Sequence, residues 1–179
     1  MKKLILASAF FFITDFIFSQ TYTPADAGSK VHFVIKNFGF RVGGDFIGLS
    51  GTIVFNPDNL NNSSFNVNIK SASVDTDNGA MENHLRKSEF FDVEKYPLIS
   101  FKSTRIAKNV VAGRFYVFGN LTIKGVTKPI DFGFSATPTA TGYVFYGEFE
   151  INRRDFGVGG NSMSLSDNLK VSLNVAANK

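Results

Sequence analysis

The chain has 179 residues, 44% of them hydrophobic, with a formal net charge of +4, two histidines and no cysteine. Zero cysteine excludes disulfides, thiolate metal sites and thiol catalysis together. So small a basic excess, scattered rather than clustered, also argues against a nucleic-acid surface.

Lys2 and Lys3 precede the apolar run Leu4 to Phe18, and Ser19 and Gln20 follow. This is the charged, apolar, small-residue order of a secretory signal. The run is interrupted by Asp15 and falls short of the roughly 20 apolar residues that a spanning helix needs. Cleavage is expected between Ser19 and Gln20, which makes the protein periplasmic or secreted. Ile17 stands where a small residue usually precedes the cut, so an uncleaved anchor is the alternative. Residues 20–179 are then one domain with a core of ordinary size. On cleavage Lys and Arg fall from 19 to 17 and Asp and Glu from 15 to 14, leaving a net charge of +3. Of the 21 Phe, 16 lie in this domain, and there is no Trp. That is a large apolar surface for a chain with almost no helix signal; a dense core or a ligand chamber would use it.

From residue 30 onward the dominant pattern is period-two alternation, the mark of strands with one buried face. Val31, Phe33 and Ile35 alternate with Lys30, His32 and Lys36, and Ile53 and Phe55 with Thr52 and Asn56. Phe65, Val67 and Ile69 follow, then Ile99 and Phe101, then Val117, Leu121 and Ile123. Ile130, Phe132 and Phe134 come next, then Phe145, Phe149 and Ile151, and last Leu169, Val171, Leu173 and Val175. These are eight strands. Polar links at 56–63, 108–109, 125–127 and 137–142 suit hairpins between antiparallel neighbours, and glycines at 48, 51, 119, 133 and 147 suit the bends of a curving sheet. An eight-stranded meander closes into a barrel whose interior is filled by side chains or by one small ligand.

One segment departs from alternation. Residues 78–91 set Met81, Leu85, Phe90 and Phe91 among Glu82, His84, Arg86, Lys87 and Glu89, which predicts a helix of two to three turns capped by Asp77 or Asn78. A transmembrane barrel of eight strands is opposed by the few long loops and by the polar end Ala177-Asn178-Lys179, against the girdles and loops of that class.

The search for chemistry is mostly negative. His32 and His84 lie far apart in sequence without ligand spacing. Gly48-Leu49-Ser50-Gly51 is one residue short of a nucleophile elbow, and Gly157-Val158-Gly159-Gly160 lacks the Lys and the helix of a phosphate loop. Two charged clusters, Arg86 with Lys87 and Asn152 to Asp155, read either as solvated rim or as a cationic mouth for a headgroup.

The stretch Val31–Phe40 carries a resemblance, with Gly44-Asp45-Phe46, Gly48–Gly51, Asp75-Thr76, His84-Leu85, Phe90–Val93, Lys95–Pro97, Phe101–Ser103, Gly119–Thr127 and Asn152–Gly157. Their order and spacing resemble the YceI-like family of periplasmic proteins over nearly all of residues 22–177. The resemblance implies an all-β, eight-stranded antiparallel lipocalin-like barrel with one short helix between strands three and four. It also implies a non-enzymatic carrier that holds a polyisoprenoid, of the quinone or isoprenyl-phosphate kind, and needs no other cofactor. Expected wall residues are Phe33, Ile35, Phe55, Phe65, Val67, Phe101, Leu121, Phe132, Phe134, Phe145, Phe149 and Leu173. Expected rim or headgroup residues are His84, Arg86, Arg153 and Arg154. Isoprenoid lipid or quinone is the expected partner; transient membrane contact and a homodimer are compatible with it. In one departure, Met81 stands before Glu82 where the family pattern has Arg. The rival expectation is a stress-response or structural protein whose barrel is filled by its own Phe side chains.

Overall fold

The computed structural model describes residues 20–179, and the signal expected at 1–19 lies outside them. The strands are β1 (Thr21–Asn37), β2 (Phe40–Phe46), β3 (Ser50–Val54), β4 (Ser64–Lys70), β5 (Leu98–Lys108), β6 (Arg114–Ile123), β7 (Val126–Pro138), β8 (Gly142–Asn152) and β9 (Leu165–Asn178), with one helix, α1 (Gly79–Leu85), between β4 and β5. Every pairing is antiparallel, and β9 returns to β1 and closes the barrel. The nine segments fill eight positions around the ring, because β2 and β3 lie end to end along one edge of β1. The C-terminal half of β1 pairs with β2 from Val31↔Phe46 to Asn37↔Phe40, and its first residues pair with β3 at Thr21↔Val54 and Tyr22↔Ile53. The barrel therefore has the expected eight strands, the third and fourth of them joined through the helix.

The alternation leaves β2 out, and the structure supplies the reason. Gly43 and Gly44 interrupt the apolar phase because rings from β1 lie across them: a Cβ at Gly43 would meet the His32 imidazole at 3.0 Å, and one at Gly44 the Phe33 ring at 2.8 Å. Between β2 and β3 the chain turns over a bulge in β1, where the register jumps between Ala25 and Lys30. The Asp26 carboxylate accepts from Gly48 N and Leu49 N at 2.8–3.0 Å and fixes that turn.

One end of the barrel is solid. Phe55, 1% exposed, is met edge-on by Phe115, Tyr143 and Phe145 at 5.2–5.3 Å and flanked by Phe65 and Phe134. Tyr22, Ile53, Ile106, Val117 and Ala177 complete this plug. Phe55 is thus a plug residue and not part of the cavity wall: alternation fixes that it faces inward but says nothing of its depth along the axis. At the other end β7 and β8 part company. Their ladder runs from Pro138↔Tyr143 to Phe134↔Gly147 and goes no further, while β8 stays paired to β9 as far as Asn152↔Asn168. The barrel thereby widens away from the plug, with Phe132 and Phe149 stacked across the divergence at 4.6 Å.

Truncating Phe55 removes a ring with no empty space around it, so Phe55→Ala is expected to lower stability by about 3–5 kcal/mol. Phe149→Ala, at the hollow end, is expected to cost clearly less; denaturant unfolding of the two variants side by side checks the difference.

Candidate functional site

The widened half encloses a cavity of about 540 Å³, within the roughly 300–1,000 Å³ of ordinary small-molecule sites. Its floor is the upper surface of the plug, from Phe65, Phe134 and Phe145. Its walls are inward side chains of the strands: Phe33 and Ile35 from β1, Val67 from β4, Phe101 from β5, Leu121 from β6, Phe132 from β7, Phe149 from β8 and Leu173 from β9. Of the twelve wall residues named from the sequence, the structure brings eleven around one hollow and leaves Phe55 in the plug.

The segment between β4 and β5 roofs part of this space. Asn78, one of the two expected caps, accepts from Ala80 N and Met81 N and starts α1, as a side-chain cap does. The helix is two turns long, and beyond it Phe90 and Phe91 turn down over the barrel, packing on Leu121, Ile123, Phe156 and Val158 and on Phe46, Ile69 and Val74. Lys124 Nζ donates to the carbonyls of Glu89 and Gly157 at 3.1 and 2.8 Å, and Gly159 N donates to Glu89 O at 2.9 Å. The roof is thus tied to the turn that follows β8.

The opening is marked by cavity-lining residues that are also exposed: His84 and Glu89 on one side, Asn161 and Ser162 on the other. The hairpin between β1 and β2 adjoins it, since Phe38 N donates to Ser164 O at 2.9 Å. Polar groups gather here while the interior is apolar. Among the described residues, Asn37 Oδ1 is the buried side-chain oxygen without a hydrogen-bond partner, and it lines the cavity. Asn37 was not among the residues singled out from the sequence. The signal was present, because Asn37 continues the inward phase of Val31, Phe33 and Ile35.

The four rim residues divide. His84 lines the mouth, its ring edge-on to Phe90 at 4.7 Å. Arg86 is turned away from the cavity: its guanidinium donates to the carbonyls of Ala72 and Val74 at 2.9 and 3.0 Å and meets Glu82 at 3.4 Å, pinning α1 to the chain before it. Arg153, 3% exposed, donates to the carbonyls of Val158, Gly160, Leu165 and Ser166 and to the Asp167 carboxylate at 2.8–3.3 Å. It is a clamp for the turn at 157–165. Half-exposed Arg154 bonds Asp167 from outside at 3.3 Å. Met81 borders the cavity, so an apolar thioether lines that part of the wall.

Other polar groups with possible chemistry lie elsewhere. His32 Nδ1 meets Asp45 Oδ1 at 2.5 Å, with Lys30 Nζ 3.3 Å from the same carboxylate. The ring leans over Gly43, away from Ser172, its cross-strand neighbour on β9. No cluster of three metal-ligating side chains occurs among the described residues. On the β8–β9 wall the Lys170 ammonium and the Tyr146 hydroxyl, hydrogen-bonded to Glu148, hold its carboxyl below the usual range; the same contacts raise Lys170 and Tyr146. In the plug, burial and then the neighbouring Tyr143 raise the Tyr22 hydroxyl, which donates to Gln20 Oε1 at 2.6 Å.

A closed antiparallel barrel, blind at one end and with a largely apolar cavity, defines a lipocalin-like barrel protein. The YceI-like domain model matches residues 22–177, and the chain belongs to that family. It is 35% identical over 136 residues to protein YceI of Salmonella agona, covering 73% of this chain and 70% of the relative. It is 38% identical over 101 residues to a UPF0312 protein of Pectobacterium atrosepticum; there the match covers 56% of this chain and about half, 52%, of the relative's length. Among solved structures, a YceI protein of Campylobacter jejuni is similar with a TM-score of 0.69 and 26% identity, covering 100% of this chain and 99% of that one. Burkholderia cenocepacia BcnA gives a TM-score of 0.80 at 24% identity, covering 87% and 99%. A polyisoprenoid binding domain from Saccharophagus degradans gives 0.69 at 18%, covering 88% and 97%. The last two likenesses are of fold alone.

Because Arg153 is the single donor to five acceptors, Arg153→Met is expected to destabilise the protein by about 3–5 kcal/mol. Arg154→Ala, at the surface, should change stability by about 0–1 kcal/mol. Urea unfolding midpoints distinguish the two.

Proposed function

We propose that the protein is an exported, non-enzymatic binding protein that carries a polyisoprenoid lipid, its chain in the cavity and its headgroup at the polar opening. The observation that carries this is the 540 Å³ hollow above the Phe55 plug, walled by Phe, Ile, Leu and Val and open beside Asn37. Burial is worth about 0.8 kcal/mol per CH₂, so three isoprene units gain on the order of 10 kcal/mol gross. Ordering the guest removes part of that. The blind floor makes the chain enter tail first, and flat aromatic walls suit flat, methyl-branched units. The likeness to the Saccharophagus domain, which binds a polyisoprenoid by its name, agrees. Export is supported by the order of Lys2, Lys3, the run to Phe18 and Ser19. A barrel filled wholly by its own side chains is disfavoured by the cavity, although its plug half is filled in that way.

Native protein recovered from the periplasm and extracted with organic solvent is expected to yield an isoprenoid by mass spectrometry, and its intact mass is expected to correspond to a chain beginning at Gln20. Protein that emerges empty and takes up no added quinone or isoprenol would count against the lipid; a chain retained from Met1 would count against the cleaved signal.

Asn37 marks where the headgroup is read. A neutral hydrogen bond is worth about 0.5–1.5 kcal/mol, so Asn37→Leu is expected to weaken binding of a quinone or an isoprenol by about 2- to 10-fold. Binding of a hydrocarbon of the same length should not fall; competition titrations with both ligands show the difference.

A further inference from the structure

The hairpin joining β1 to β2 carries a feature that neither the core nor the cavity explains. Phe38 and Phe40 at its tip are 77% and 76% exposed, and Met163, on the adjoining turn, is fully exposed. Phe38 has φ +49° and Gly39 φ +81°, the two left-handed positions of a tight hairpin turn that normally go to Asn, Asp and Gly. A bulky side chain in that region is strained. Here the strained residue buries almost nothing, so it weakens the free protein on two counts. Strain of this kind persists where something else depends on it.

The neighbouring residues indicate what that is. Lys36 and Arg41 stand directly opposite each other across the hairpin, both exposed. Like charges facing each other across a ladder repel. Among the described residues neither takes part in an ion pair with an acidic side chain. Phe40 is the cross-strand partner of the cavity-lining Asn37, but it lies outside the lining itself, at the tip beside the opening. Two rings and a thioether thus stand at the mouth of an apolar cavity, with two unpaired cations directly behind them.

We infer that this hairpin tip docks the mouth of the barrel onto an anionic lipid bilayer, with Phe38, Phe40 and Met163 entering the interface and Lys36 and Arg41 meeting the headgroups. Basic residues with bulky apolar side chains are the combination that holds protein at such an interface. The choice of a bilayer over a protein partner rests on the reading of the cavity as a lipid site, since docking there lets an apolar chain pass between membrane and cavity with little exposure to water. The opposite end also shows exposed Val110 and Val111, at the turn between β5 and β6 beyond the plug, and it supplies an internal control.

The chain has no Trp, so Phe40→Trp makes a sole fluorophore at the tip and Val110→Trp one at the far end. With vesicles of phosphatidylglycerol and phosphatidylcholine that contain no isoprenoid, Phe40→Trp is expected to shift to the blue and be quenched by brominated acyl chains. Val110→Trp should keep its solvent-exposed emission. The double variant Phe38→Asn, Phe40→Ser is expected to bind these vesicles about tenfold or more weaker, yet to unfold at the same or higher temperature because Asn tolerates the left-handed turn. It should still take up a dispersed isoprenol as the parent protein does. Raising the salt, or Lys36→Glu with Arg41→Glu, should weaken binding to anionic vesicles. Vesicle binding absent from the parent protein, equal shifts at both Trp positions, or unchanged binding by the double variant would overturn the docking surface. Normal uptake of isoprenol alongside such a result would leave the cavity's proposed role standing; failed uptake with intact vesicle binding would overturn that role instead.

Discussion

The structure depends on the packing of rings around Phe55. A wide empty cavity forgoes the dispersion contacts and apolar burial that a filled barrel would make, and eight strands on one meander have little else to hold them in a ring. Here both requirements are met by dividing the barrel along its axis. The plug sets Phe55, the residue after β3, against Phe65, Phe115, Phe134, Tyr143 and Phe145 from β4, β6, β7 and β8 and ties together strands that are not all neighbours in the sheet. Because that half is saturated, the other half can stay empty and β7 can separate from β8. The same rings form the cavity's floor, so stability and blindness of the site have one source.

The open half is stiffened by polar means. Arg153 lies under the turn at 157–165 and satisfies carbonyls on both sides of it, with Asp167 closing the charge. A buried guanidinium is costly to desolvate and is tolerated only when its donors are met; here they meet carbonyls of the turn after β8 and of the first residues of β9, with the Asp167 carboxylate. Lys124 does the same from the surface for Glu89 and Gly157. The opening therefore lies between two anchored walls, the end of α1 and the Asn161–Ser164 stretch, beside a hairpin tied to β9 by the Asn37↔Leu165 pair and to Ser164 by the Phe38 backbone N–H.

Much of this was legible in the sequence because one physical signal, alternation, reports inward-facing residues directly. It placed eight strands, a helix capped by Asp77 or Asn78, of which the structure uses Asn78, and eleven of the residues that border the hollow. It failed where the information is three-dimensional. Depth along the barrel axis leaves no trace in a period of two, which is why Phe55 was grouped with the walls. β2 was missed because Gly43 and Gly44, which serve rings from another strand, break the phase of Phe40, Val42 and Phe46 in its middle. Charge runs at Arg86 and Arg153 suggested a wet rim, but the carbonyl sets that hold these side chains come from turns whose shape local sequence does not specify. Asn37 was passed over although a polar residue in an inward phase is the kind of local exception that marks a site.

The distribution of charge around the opening bears on what the site can select. Met81 and Arg153 both border the cavity, and the guanidinium groups of Arg86 and Arg153 are held by backbone carbonyls. What remains at the opening is Asn37, His84, Asn161 and Ser162, which offer hydrogen bonds, with Glu89 the carboxylate beside them. A phosphate headgroup would meet no fixed cation among these side chains and one fixed anion. A quinone carbonyl or a hydroxyl would meet donors and acceptors that match it without burying charge. For the lipid proposed above, these side chains match a neutral headgroup better than a phosphorylated one, and Lys36 and Arg41 lie on the outer face of the hairpin, outside the cavity lining.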